Sequence, residues 1–300
     1  MPITHQAAVQ TYLDYLKFQK RYSRHTIISY ENDLSAFFSC LDKDFGEMPV
    51  TDIRPAYIRT WLAQLKESGI SSKSINRKIS SLRSFFKYQL KQGLLAVSPM
   101  ATIISPKSGK RLPQFVDKKD IQTLFDHVEF PDTWEGKTDR LVLELLYNTG
   151  MRKAELIQLQ ESQVDTGNAA IKVLGKGNKE RIIPVSPDLL NAVSSYIREK
   201  RSVEPLPDNQ VLLVNARGKR LDPRQVYTTV KKYLSLVTTI EKRSPHILRH
   251  SFATHLTNNG ADLNAVKELL GHASLAATQV YTHNTIEKLK DIHKKAHPKA

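Results

Sequence analysis

Over the first hundred residues, apolar side chains return every three or four positions, and no stretch alternates with the period of two that marks a half-buried strand. The region is therefore predicted to be all helical, with four helices. Ile27, Tyr30, Leu34, Phe37, Phe38 and Leu41 line one helix face. Ile58, Trp61, Leu62 and Leu65 line the next, in a helix opened by Pro55 and closed by Gly69. In "SSKSINRKISSLRSFFKYQLKQG" the buried stripe is Ile75, Ile79, Leu82, Phe85 and Phe86. Its far face carries Lys73, Arg77, Lys87 and Lys91, with Ser80 and Ser84 between them. A merely solvated face would mix in glutamates for helical ion pairs, whereas small hydroxyls among cations let a phosphate backbone come close.

Residues 105 to 115, "SPKSGKRLPQF", break the periodicity with two prolines and a glycine and read as a basic linker, in which Lys110 and Arg111 are expected to lie along a polyanion. The pattern then changes. Helical spacing at about 117 to 127 and 136 to 149 gives way to "AAIKVLGKGNKERIIPVS", where β-branched runs flank a glycine-lysine turn and predict a β-hairpin. Helices return at Ser186-Pro187, Asp222-Pro223 and Ser244-Pro245, each read as a capping side chain followed by proline at the first helical position. This gives an N-terminal helical domain over 1–104, a linker over 105–115 and a mixed C-terminal domain over 116–300. Neither an internal repeat nor a low-complexity tract interrupts it.

Composition narrows the partners. With 300 residues and 40% hydrophobic content there is enough chain for two cores, and a formal net charge of +15 with a pI near 9.7 favours nucleic acid. An anionic membrane is the weaker alternative, because the basic residues are spread along the chain and do not sit beside an apolar span. Cys40 is the sole cysteine, which rules out an intrachain disulfide and a thiolate metal cluster. With no secretory pattern at the N-terminus and no run of eighteen apolar residues, a cytoplasmic protein without membrane insertion is expected.

Four segments carry candidate chemistry. In "NTGMRKAEL", Gly150 can end a helix in the left-handed conformation and leave Arg152 at the start of the next, where helix geometry and a guanidinium both favour an anion. In "SPHILRHSFATH", His246 and Arg249 share a helical face and can grip one ligand. His246 and His250 are four apart, but Ile247 stands where a zincin needs glutamate, so zinc is not implied; His250 reads as a packed polar residue. The turn "GKGNKER" lacks the spacing of a nucleotide-binding P-loop, yet Lys176 between Gly175 and Gly177 could swing into a neighbouring site and deliver a proton. In "LLGHASLAATQVYTH", Tyr281 sits among small and polar neighbours, an unusual setting for a core tyrosine.

Arg152, Lys176, the "HILR" pair, Gly271-His272 and Tyr281 nine positions later resemble the tyrosine recombinase (phage integrase) family, and within it the Xer-type enzymes. The resemblance runs through "TGMRKAEL", "GKGNKERIIPV", "SPHILRHSFATHL" and "GADLNAVKELLGHASLAATQVYTH" to the terminal "HPKA", with Met151 the one departure, where leucine is commoner. It implies a mainly α fold with a small β-sheet, in which a helical core-binding domain and a mixed α/β catalytic domain form a C-shaped clamp on DNA. It implies that Tyr281 attacks a scissile phosphate to form a 3′-phosphotyrosyl bond, that Arg152 and Arg249 offset the phosphate charge, that His246 and His272 donate to its nonbridging oxygens or assist proton transfer, and that Lys176 protonates the departing 5′ oxygen. Glu155 would orient the site. No cofactor is implied, because the covalent bond stores the energy for rejoining and protein cations offset the phosphate charge.

The expected partners are double-stranded DNA with specific recombination sites, a homo- or hetero-tetramer of recombinase protomers, and a septal DNA translocase. Tyr281 is expected on a short helix beginning at Ser274, followed by a tail helix with Ile286, Leu289 and Ile292 on one face that docks on a neighbouring protomer. The expected role is chromosome dimer resolution. The alternatives are a mobile-element integrase or invertase of the same family, a non-catalytic architectural DNA-binding protein, and a type IB topoisomerase.

Overall fold

Short hydroxyl side chains open the helices of the N-terminal unit in the computed structural model, which describes residues 4–107, 109, 114–175, 179–201, 210–272 and 274–279. Thr4 accepts from the Ala7 N–H to start α1 (His5–Asp14), Ser23 from Thr26 to start α2 (Arg24–Phe45), and Ser71 from Ser74 to start α4 (Ser72–Lys91). The intervening helix, α3 (Pro55–Glu67), begins on its proline. A single π-helical turn over Tyr15–Gln19 extends α1. The four predicted helices are thus present.

α4 packs against α1, α2 and α3, and the stripe expected to be buried is buried: Ile79, Leu82, Phe85 and Phe86 are fully enclosed. The Phe85 ring meets those of Tyr12 and Phe38 edge to face, a geometry that adds to area burial. Asp33 is also enclosed in this unit, where Arg77, Lys78 and Ser81 all donate to its carboxylate. The first residues after the unit's last helical turn run back along α4, where Asn76 donates to the Pro106 carbonyl at 2.9 Å and Arg83 to that of Ile103 at 2.7 Å.

The chain divides into two compact units, Met1–Lys110 and Arg111–Ala300. In the second, α6 (Trp134–Thr149) is apolar on most sides, with Leu141, Val142, Leu143, Leu145 and Leu146 all buried, and it is the centre on which α8 (Pro187–Lys200), α9 (Pro223–Val237) and α10 (Pro245–Asn258) pack. α5 (Lys118–Asp126) lies on α9, and the short α7 (Lys153–Gln158) follows α6. Ser186 and Asp222 cap their helices through the side chain; Ser244 does not, so Pro245 alone marks that start, a correction to the capping read from the sequence.

The hairpin is present within a three-stranded antiparallel sheet of order β1-β2-β3, with β1 Val164–Asp165, β2 Ala170–Leu174 and β3 Glu180–Pro184. Ile171 pairs with Ile183 and Val173 with Arg181. One face therefore buries Ile171, Val173 and Ile183 together with Arg181, while Ile182 points to solvent at 66% exposure. α11 (Leu263–Leu270) and α12 (Ala276–Gln279) close the described chain. Among the described residues no helix is long and apolar enough to cross a membrane.

Candidate active site

The turn between α6 and α7 explains why Gly150 and Arg152 stand where they do. Gly150 takes φ +58°, as expected for a left-handed helix end, and a Cβ there would lie 2.4 Å from the Phe252 ring. Only glycine fits. The chain then turns so that Arg152 becomes the N-cap of α7. Its backbone N–H donates to Glu155 Oε2 at 2.7 Å, its Nη1 to Glu155 Oε1 at 2.8 Å and its Nη2 to the Gly271 carbonyl at 3.2 Å.

Arg249 arrives from α10 and is buried, with 5% of its surface exposed. A guanidinium can be buried only when its N–H groups find acceptors. Nη1 donates to the Gly150 carbonyl and Nη2 to that of Leu270, each at 2.6 Å. Both carbonyls lie at helix C-terminal ends, where acceptors are left over and the helix dipole favours a cation. Arg249 and Arg152 thus bind the successive carbonyls of Leu270 and Gly271, directly before His272.

Glu155 is held by two arginines. Arg181 from β3 gives it both terminal nitrogens, Nη1 to Oε1 at 3.0 Å and Nη2 to Oε2 at 2.7 Å, while its Nε donates to the Leu269 carbonyl at 2.8 Å. Burial pushes the Glu155 carboxyl up, but the Arg181 side chain and the Arg152 N–H outweigh it and hold the group below the usual carboxylate range. It is an anion surrounded by fixed donors.

The histidines are neutral in this field. His272 is half-buried, and its pKa is pushed down to about 4, first by desolvation and then by Arg249, Arg152, His250 and Arg181. Its Nδ1 lies 3.0 Å from the hydroxyl of Thr278, which is wholly buried on α12. His246 is the exposed residue of the otherwise buried first turn of α10; partial desolvation of its ring, then Arg249, Lys153 and Arg152, lower its pKa. His250, one turn on, is lowered by burial, His246 and Arg249. Among the described residues no group of three or more His, Cys, Asp and Glu side chains could hold a metal ion.

The fold therefore brings Arg152, Glu155, Arg249 and His272 together around the ends of α6 and α11, with His246 within electrostatic reach of both arginines. Lys176 and Tyr281 lie outside the described residues, as do Lys110, Arg111 and the tail segment. In the N-terminal unit Lys73, Lys87 and Lys91 are exposed on one side of α4. Arg77 is on that side too, but is tied to Asp33 and to Ser29. Ser84 differs from its expected outward role, since it accepts from the Tyr12 hydroxyl at 2.6 Å.

Two members of the site escape sequence inspection, Arg181 and Thr278. A signal existed for the first: the register that buries Val173 on β2 puts Arg181, and not Ile182, on the inner face of β3. For Thr278 the sequence offers only a small polar residue in a small polar segment.

Residues 114–288 match the phage integrase family, and residues 9–93 match the phage integrase N-terminal SAM-like domain. Tyrosine recombinase XerC of Chlorobaculum parvum (strain DSM 263 / NCIMB 8327) is 35% identical over 100% of this chain and 98% of its own length. That of Listeria monocytogenes serotype 4a (strain HCC23) is 39% identical over 97% of both chains. The fold is similar to that of XerH site-specific recombinase in a post-cleavage complex with palindromic difH substrate, with a TM-score of 0.76 at 24% identity, over 94% of this chain and 83% of that one.

Proposed function

This chain belongs to the phage integrase family and is a site-specific tyrosine recombinase of the Xer type, and we propose that Tyr281 is its nucleophile and that Arg152, Arg249, His246 and His272 hold the phosphate it attacks. The observation that carries this reading is the convergence of Arg249 and Arg152, from segments far apart in the chain, on the carbonyls of Leu270 and Gly271 beside His272. Two guanidiniums fixed before substrate arrives can meet the charge of a pentavalent phosphate without reorganising.

A free phenol has a pKa of about 10, so about one molecule in a thousand is ionised near neutrality and the site must assist. In the proposed step the Tyr281 oxygen bonds to phosphorus as the bond to the 5′ oxygen breaks. The phenolic proton leaves through a histidine, and Lys176 protonates the departing oxygen. Attack by a 5′-hydroxyl on the 3′-phosphotyrosyl bond reverses these transfers and rejoins the strand. In the tautomer that accepts the Thr278 hydroxyl at Nδ1, neutral His272 carries its ring proton on Nε2, where it can meet a nonbridging oxygen.

The exposed lysines of α4 and the basic segment with Lys110 and Arg111 fit the phosphate backbone of the same duplex, in line with a net charge of +15. The C-shaped clamp, a tetramer of identical or related protomers on two sites, and control by a septal translocase belong to this proposal, as does a role in chromosome dimer resolution in the cytoplasm. The test is covalent capture. Incubated with a library of nicked duplexes carrying a randomised core, the protein should form an adduct that survives denaturant, and Tyr281→Phe should form none. Failure to capture any duplex would favour a protein that binds DNA without cutting it.

A further inference from the structure

Arg181 is out of place for a strand residue. Between Glu180 and Ile182, both exposed, it turns into the protein with 9% of its side chain accessible, and the carboxylate it meets is 6% accessible. All three of its donor nitrogens are used. Two clasp Glu155, which itself holds the backbone and side chain of Arg152, and the third reaches the Leu269 carbonyl at the end of α11.

The α11 terminus and the neck of the hairpin both come close to this guanidinium, and at the first a glycine leaves it room. A Cβ on Gly271, which has φ +62°, would stand 3.2 Å from Arg181 Cδ and 3.3 Å from its Nη1. A Cβ on Gly175, at the neck of the hairpin, would stand 3.6 Å from Arg181 Nη1 and 3.7 Å from Glu155 Oε1. The ion pair is thus packed between the α11 terminus and the base of the turn that carries Lys176.

We propose that Arg181 is a positioning residue for strand cleavage, fixing through Glu155 and the Leu269 carbonyl the placement of Arg152 relative to His272. It rests on the reading of those two residues as phosphate ligands. Arg181 touches no reacting atom. Its effect comes from geometry: three elements from separate parts of the chain, α7, β3 and α11, are locked by one planar fork whose bidentate hold a lysine cannot reproduce.

The test uses full-length protein and the duplex recovered by covalent capture, with the wild type run alongside. Arg181→Lys keeps the charge beside Glu155 but loses the fork. Glu155→Gln with Arg181→Met removes both charges together, so that no buried carboxylate is stranded. Both variants should bind the duplex as the wild type does and cleave it about 100-fold more slowly in a single turnover, the scale on which small misplacements of reacting groups act. Substituting sulfur for the 5′ bridging oxygen should not restore the rate, because the defect lies in phosphate placement and not in protonation of the leaving group.

Wild-type cleavage by Arg181→Lys would overturn the inference and reduce the arginine to a counter-ion. Loss of duplex binding in step with cleavage in both variants would overturn it too, because the residue would then support the fold as a whole. No adduct from the wild type would instead sink the recombinase reading on which it rests.

Discussion

His272 Nδ1 lies 3.0 Å from the hydroxyl of Thr278, and Thr278 stands three positions before Tyr281 in the sequence. One hydrogen bond therefore joins a proposed phosphate ligand to the segment leading into the proposed nucleophile. Thr278→Val keeps the shape and deletes the bond, a loss worth about 1 kcal/mol. Cleavage should slow by about fivefold with duplex affinity unchanged. Thr278→Ser, which keeps the hydroxyl, should cleave like the wild type. Single-turnover rates beside binding isotherms check both.

The depressed histidines make a prediction about acid stability. His272 has a pKa of about 4 in the folded chain, against about 6.5 when unfolded, so the unfolded state binds more protons between those values. Its contribution to stability is fully present above pH about 6.5 and is lost as pH falls towards 4. His246, His250 and His255 are shifted in the same direction and add to the loss. Urea midpoints should fall across this range, and His272→Gln should flatten the decline.

The basic face of α4 predicts a salt signature. If Lys87 meets a phosphate, Lys87→Ala should make the slope of log affinity against log salt shallower by about 0.9. Lys137, which pairs with Asp132 and Glu199 in the second unit, is the control, and Lys137→Ala should leave the slope unchanged. Titrations of fluorescent duplex at several salt concentrations measure this.

Much of this molecule could be read along the chain because its causes are local. The three-and-four spacing that buries Ile75, Ile79, Leu82, Phe85 and Phe86 is contained within α4, and the left-handed turn at Gly150 is a matter of one residue. Arg152 at a helix start and the hairpin around Lys176 were legible for the same reason. Arg181 was not, because its value depends on Glu155 and Leu269, partners brought near only by the sheet register and the packing of α11. Asp33 was missed likewise: a single acid in an amphipathic helix gives no sign that it will be enclosed with Arg77 and Lys78. Arg249 illustrates a middle case, since its helical face was readable but not its acceptors, which are backbone carbonyls that any sequence could supply.

The central claim is that one phenol and four cationic or donor side chains meet at a single phosphorus, and a structure with orthovanadate in a captured, nicked duplex addresses it directly. The account predicts vanadium bonded to the Tyr281 oxygen, with Arg152, Arg249, His246 and His272 each placing a nitrogen about 3 Å from an oxygen of the trigonal plane. Vanadium bonded to another side chain, or a plane met by neither arginine, would contradict it.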